Sequence, residues 1–272
     1  MSRISQCFEQ LKADGQTALI PYITAGDPEP LVTVPMLHAL VESGANLLEL
    51  GIPFSDPMAD GPVIQKACER ALKNDVSLKR VLEMVAQFRE KDTETPIILM
   101  GYANPLEAMG YTEFAQTAQK AGVDGILTVD MPPEESDTFM PTMDAHGIDT
   151  IFLVAPTTTE ARIAKIAKHA KGFVYYISLK GVTGSTMIDM SQLGEKLALL
   201  RKYTDLPLGV GFGIRDGQSA AAVSDVADAV VVGSTLVNCI AEHQDNPESL
   251  PGALAGLLAE MRHAINARDM AK

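Results

Sequence analysis

Glu49 and Asp60 are the residues whose types and setting point most directly to acid–base chemistry. Glu49 interrupts the apolar run Asn46–Gly51 and falls on the same alternating face as Leu47 and Gly51. An ionised carboxylate buried there alone is costly, so the position calls for a partner, a raised pKa or a solvated mouth. The alternative is a Glu pointing outward between helices and paired with a lysine. Asp60 ends the stiff loop 52–62, where Pro53, Pro57, Gly61 and Pro62 surround Ser55, Asp56 and Asp60. It can cap the helix that begins near Val63. It can equally be a second carboxylate over the same mouth as Glu49, and two carboxylates in different environments can divide acid and base roles.

Glycines gather at three other places. Gly181-Val-Thr183-Gly184-Ser185, Gly209-Val-Gly211-Phe212-Gly213 and Gly233-Ser234-Thr235 each follow or end an apolar run. Glycine permits close backbone approach, and hydroxyls add donors, so the three together suit a phosphate. Tight turns are the plainer explanation of any one of them. Lys180 could form a Schiff base with a carbonyl substrate, but its setting in Leu-Lys-Gly-Val-Thr-Gly reads better as a solvated surface lysine. The five histidines form no HxxxH pair, so no metal site is expected. Tyr22, Met100, Tyr102, Leu127, Leu153, Tyr175 and Phe212 stand near run ends, where they could line an apolar pocket or belong to the core. The sum is a phosphorylated substrate with an apolar moiety, handled by two carboxylates.

The elements that must position these residues are legible as an alternation. Apolar runs at 18–24, 46–51, 96–102, 123–129, 148–155, 173–178, 206–211 and 228–233 alternate with amphipathic stretches. Those stretches are 29–43, 63–73, 111–120, 134–145, 159–170, 190–202 and 218–225. Strands of this length alternating with helices imply βαβ units and a parallel sheet. Eight pairs match one closed (β/α)8 TIM barrel, with extra helices at 4–13, 78–90 and 250–268. An open doubly wound sheet is the alternative, weakened because no GxGxxG follows the first strand. In such a barrel, function collects at the C-terminal strand ends, where all the residues above stand. The joints Glu-Ser-Gly-Ala-Asn46, Lys-Ala-Gly-Val-Asp124 and Ala-His-Gly-Ile-Asp149 each place Gly just past a helix.

No linker or charge run divides residues 1–272, so a single domain is expected. With 22 Lys+Arg against 35 Asp+Glu the net charge is −13, which argues against nucleic acid as a partner. Three scattered cysteines, no apolar leader and no run of membrane-spanning length point to a cytoplasmic protein.

The motifs themselves resemble a family. The runs 21–28 (Pro-Tyr-Ile-Thr-Ala-Gly-Asp-Pro), 49–62 and 101–105 (Gly-Tyr-Ala-Asn-Pro), with Gly181–Gly184 and Gly211–Gly213, are similar in content and order to the tryptophan synthase α subunits. That resemblance implies a (β/α)8 barrel that cleaves indole-3-glycerol phosphate to indole and glyceraldehyde 3-phosphate. It implies no cofactor in this chain. Glu49 matches the general acid/base and Asp60 the carboxylate on the indole N–H. Gly184, Gly213, Gly233 and Ser234 match the phosphate site. Tyr22, Met100, Leu127, Val129, Leu153, Tyr175 and Phe212 match the indole pocket, and Gly181 and Thr183 a lid. The implied partner is a PLP-dependent β subunit in an αββα heterotetramer, docked on Pro53, Phe54, Asp56, Pro57, Asn104, Pro105 and Pro132. Tyr22, Met100 and Leu179-Lys180 depart from residues common in the family, which bears on affinity and loop closure. A Schiff-base aldolase using Lys180 and a non-catalytic activator are the competing functions.

Overall fold

The computed structural model describes residues 1–177, 189–211 and 213–271. Its strands are β1 (Ala18–Thr24), β2 (Leu48–Gly51), β3 (Ile97–Gly101), β4 (Gly125–Thr128), β5 (Asp149–Val154), β6 (Val174–Ile177), β7 (Leu208–Gly211) and β8 (Ala229–Val232). Each pairs in parallel with the next, and β8 returns to β1, which closes the barrel. The first half of β1 pairs with β8, Ala18 opposite Ala229, and the second half with β2, Tyr22 opposite Glu49. That stagger is the shear by which a tilted sheet closes.

The helices are α1 (Arg3–Ala13), α2 (Pro30–Glu42), α3 (Pro62–Leu72), α4 (Leu78–Arg89), α5 (Ala103–Met109) and α6 (Tyr111–Ala121). They continue with α7 (Phe139–Ala145), α8 (Glu160–His169), α9 (Met190–Leu200), α10 (Gly217–Ser224), α11 (Ser234–Glu242) and α12 (Leu250–Asp269). Among the described residues no helix is long and apolar enough to cross a membrane.

Two apolar layers follow from the alternation of side chains along each strand. Outward residues such as Leu19, Ile23, Leu48, Leu50, Ile97, Leu99, Val174 and Val230 pack with the helices. Inward residues fill the lumen: Ala18, Ile20, Leu47, Ile98, Leu127, Ile151, Phe173, Ala229 and Val231. From the N-terminal end, Ile4, Phe8 and Leu11 of α1 pack into that inner cluster, which closes the bottom of the barrel. Burial on both faces explains why the strands read as continuous apolar runs.

The helix-to-strand joints are built as expected. Gly44, Gly122 and Gly147 hold φ of 101°, 89° and 70°, the left-handed region that ends a helix.

One expectation changes and two helices are added. The stretch 134–145 is a 3-10 turn at Pro133–Glu135 followed by a helix beginning at Phe139. Pro141 has no N–H to donate back to the turn before it, so it fits the first turn of α7 and prevents earlier helix. The helices α5 and α11 were not read from the spacing. Both are short and start immediately after a strand end, so they show too few apolar repeats to register.

Candidate active site

Glu49 lies on β2 between Tyr22 of β1 and Ile98 of β3, in the register of the inward face. It is 1% exposed, and neither carboxyl oxygen has a hydrogen-bond partner among the described residues. Burial, with a smaller contribution from the charge of Asp60, lifts its pKa to about 8. The inward reading of Glu49 therefore holds, and the outward lysine pair does not form. A carboxyl group in this state is a neutral acid at pH 7 with its proton available.

Asp60 comes to the same mouth along loop 52–61. It does not cap α3: the N-cap is Gly61, without a side-chain hydrogen bond. Instead Oδ2 of Asp60 accepts the Tyr102 hydroxyl at 2.9 Å. The backbone N–H of Ala59 donates to that same Tyr102 oxygen at 3.0 Å. Partial burial raises the Asp60 pKa above the ordinary carboxylate value, and the Tyr102 hydrogen bond pulls it back down. At neutral pH the pair thus comprises a protonated Glu49 and a hydrogen-bonded Asp60, the asymmetry that separates acid from base.

Tyrosines and glycines shape the wall between them. A Cβ on Gly51 would meet the phenol of Tyr22, and one on Gly211 would meet the phenol of Tyr175. Both rings therefore fold over strand-end glycines, and both feel the charges of Glu49 and Asp60. Met100, Val129, Leu153 and Tyr175 are half-buried on top of the inner cluster, while Leu127 is fully buried within it. Leu127 supports the pocket as its floor. Phe212 lies outside the described residues.

The Gly-rich ends are partly described. Gly213 has φ of 80°, so only glycine takes this turn without strain. Gly233 caps α11, whose first residue Ser234 is exposed. The hydroxyl of Thr235 donates to the Ile214 carbonyl at 2.8 Å, tying the β7 end to the start of α11. N–H groups at such a helix start have no intrahelical acceptor and suit an anion. Gly181, Thr183, Gly184 and Ser185 lie outside the described residues, as does Lys180.

The whole chain matches known proteins along its length. The family model described as tryptophan synthase alpha chain matches residues 8–266. The chain belongs to the tryptophan synthase alpha chain family. A relative from Thioalkalivibrio sulfidiphilus is 62% identical over 266 residues, covering 98% of this chain and 100% of that one. One from Chromobacterium violaceum is 58% identical, covering 97% and 100%. The crystal structure of tryptophan synthase subunit alpha from Legionella pneumophila superposes with a TM-score of 0.92 at 48% identity, covering 98% and 99%. A chain of the tryptophan synthase complex from Pyrococcus furiosus superposes with a TM-score of 0.80 at 38% identity, covering 90% and 97%.

Family membership directs attention to the outer face of loop 52–61. Phe54 is half-buried against Tyr102, with ring centroids 5.1 Å apart. Asp56 and Asn104 are exposed, and Pro57, Pro105 and Pro132 are half-buried. Pro53 departs from the expectation of a docking residue. It is buried, two residues past the end of β2, and offers no surface to a partner. Met58, not singled out from the sequence, is 81% exposed on the same loop.

Two supports escaped sequence reasoning. Asp27 is fully buried and held by both arms of Arg70, Nε at 2.6 Å and Nη2 at 2.8 Å. That bidentate pair joins the β1 loop to α3, the helix beginning just after Asp60. The other is the phenol of Tyr102, which sequence reasoning placed in an apolar pocket.

Proposed function

We propose that Glu49 and Asp60 carry the cleavage of indole-3-glycerol phosphate to indole and glyceraldehyde 3-phosphate, the lyase reaction of the tryptophan synthase alpha chain. The observation that carries these roles is the Glu49 carboxyl, buried, without a hydrogen-bond partner and lifted to about 8. In the bound substrate Glu49 delivers its proton to indole C3, which turns the ring into an iminium-like cation. Asp60 accepts the indole N–H and holds that cation by its negative charge, worth most in a water-poor pocket. The C–C bond to the glycerol phosphate then breaks as the side-chain hydroxyl becomes a carbonyl. Glu49, now a carboxylate, takes the hydroxyl proton and is ready for the next turnover.

The indole ring is assigned to the space bounded by Tyr22, Met100, Val129, Leu153 and Tyr175, over Leu127. The phosphate is assigned to Gly213, Gly233 and Ser234. A Cβ on Gly233 would make only ordinary contact, 3.7 Å from Tyr22. Gly233→Ala should therefore bind substrate nearly as the parent does, and Gly233→Asp should repel the phosphate.

This chemistry draws on no cofactor within the chain, which acts as one domain over residues 1–272. A PLP-dependent β chain takes up the indole in an αββα assembly in the cytoplasm. Phe54, Asp56, Pro57, Asn104, Pro105 and Pro132 offer the docking face. The deciding experiment mixes the purified chain with indole-3-glycerol phosphate and measures free indole. No indole from the parent chain, with or without β chain, would sink the reading, and so would near-normal turnover in Glu49→Gln.

A further inference from the structure

We propose that Tyr102 is a positioning residue whose phenol fixes the direction of the Asp60 carboxylate over the barrel mouth. The inference rests on the reading of Asp60 as the anion that faces the indole N–H. Tyr102 follows β3 directly and is the N-cap of α5, so its backbone belongs to the rigid rim. Its side chain is 3% exposed. The phenol oxygen grips loop 52–61 twice, donating to Asp60 Oδ2 at 2.9 Å and accepting the Ala59 N–H at 3.0 Å. Its ring leans on Phe54 at 5.1 Å with planes 31° apart, so the ring itself is aimed from the other end of the same loop.

Among the described residues, the remaining hydrogen bonds of Asp60 hold only its backbone. Its N–H donates to the Pro57 carbonyl at 3.0 Å, and its carbonyl accepts Gln65 Nε2 at 2.9 Å. A carboxylate on a loop with no side-chain donor turns about its own χ angles, and a misdirected anion loses much of its value to a developing charge. Tyr102 occupies one oxygen, Oδ2, and leaves Oδ1 without a hydrogen bond among the described residues. It thereby orients the group while sparing an acceptor for substrate.

Tyr102→Phe keeps the ring and its contact with Phe54 and removes only the phenol oxygen. Cleavage by this variant should have kcat lowered about tenfold with KM within about twofold, the signature of an interaction used in the transition state. The acid limb of its kcat–pH profile should move upward, because the lost hydrogen bond favoured the ionised Asp60. A residue that merely packed would leave that limb in place. Asp60→Asn should cost about 10²-fold, and adding Tyr102→Phe to it should cost little more. Parent-like kcat and pH limb in Tyr102→Phe, with Asp60→Asn impaired, would overturn the proposal and leave the Asp60 assignment standing. A full tenfold loss on top of Asp60→Asn would place the action of the phenol elsewhere and also overturn it. Near-parent activity in Asp60→Asn would remove the Asp60 assignment and this inference together.

Discussion

The ring of Tyr22 fills the space that a side chain on Gly51 would need, with its Cζ 2.7 Å from the place of an ideal Cβ. Tyr22 is also the cross-strand partner of Glu49, two residues before Gly51 on the same inward face. Glycine at 51 is thus what lets an aromatic wall stand beside the buried acid. Gly51→Ala should cost about 1–3 kcal/mol, the usual range for an overpacked core. Tyr22→Leu in the same chain should recover much of that stability without restoring activity. Urea unfolding of the two single variants and the double variant reads the coupling. An identical Gly51→Ala loss with and without Tyr22 would mean that the new methyl strikes something else.

Glu49 ties stability to pH with a definite sign. Its pKa is about 8 when folded and near 4.5 when free, so the folded state holds the proton more tightly. The contribution is fully present below pH 4.5 and is lost as pH rises towards 8, because only the unfolded chain ionises in that window. Glu49→Gln cannot ionise, so its stability relative to the parent should climb between about pH 5 and 8. The gain should be on the order of a few kcal/mol. Denaturant titrations at several pH values check this. A constant difference across the window would show that Glu49 is already ionised in the folded chain.

The rate should follow both carboxylates. With Glu49 as the proposed proton donor and Asp60 as the proposed anion, kcat should fall above about pH 8 as Glu49 loses its proton. It should fall again on the acid side, at a pH above the ordinary Asp value, because burial raises the Asp60 pKa. Asp60→Asn should lower the rate and abolish the acid limb, while the basic limb persists and moves down somewhat, because the Asp60 charge that helps raise the Glu49 pKa is gone. A basic limb that vanished instead would interchange the two roles.

Much of this was readable because barrels repeat. The eight apolar runs became the eight strands: β1 keeps the bounds of its run and the other seven are trimmed at one or both ends. What the joints accomplish was only half legible. The Gly of the joints before β2 and β4 announces a helix end, but the Asx two residues later acts across the sheet, as does Asp228 in the joint before β8, which has no Gly. Asn46 accepts the Leu19 N–H at 2.9 Å, Asp124 the Ile97 N–H at 2.8 Å and Asp228 the Leu208 N–H at 2.7 Å. Each is backed by an arginine from a distant helix or turn: Arg262, Arg89 and Arg201. Such partners lie far apart in sequence, so no local pattern reveals them. The same holds for Tyr102 and Asp60, whose hydrogen bond joins two loops that only the closed barrel brings together.

The joints differ in depth, which gives a stability prediction. Asp124 is 4% exposed and binds both Arg3 at 2.8 Å and Arg89 at 2.7 Å. Asp228, by contrast, is 36% exposed beside Arg201. Asp124→Ala should cost about 3 kcal/mol, since it removes the near carboxylate from the mostly buried Arg89, which keeps its carbonyl acceptors, and leaves the Ile97 N–H without its acceptor. Asp228→Ala should cost less, because water can take over the exposed Arg201 and only the Leu208 N–H loses its acceptor. Thermal unfolding of the two variants compares them, and equal losses would contradict the dependence on burial.

The docking face makes the last prediction. Loop 52–61 is amphipathic in an unusual direction: Phe54 turns inward onto Tyr102, while Asp56 and Met58 stand in solvent. Neither Asp56 nor Met58 bonds to Glu49, Asp60 or Tyr102; among the described residues the Asp56 carboxylate accepts only the neighbouring Ser55 hydroxyl, at 2.5 Å. Replacing them should therefore leave the isolated chain within about twofold of the parent, as for exposed residues away from a site. Phe54 is different, because its ring aims the phenol that holds Asp60. If the β chain docks on this face, Asp56→Ala and Met58→Ala should lower its stimulation of cleavage about tenfold, equivalent to ~1.4 kcal/mol of lost contact. Phe54→Ala should lower both the isolated and the stimulated rate. Indole release is measured with each variant alone and across a titration with β chain from subsaturating amounts upward, and the stimulation at a fixed subsaturating amount separates docking from catalysis. Equal proportional losses in all three variants would make the loop purely catalytic, and docking would then have to use another part of the rim.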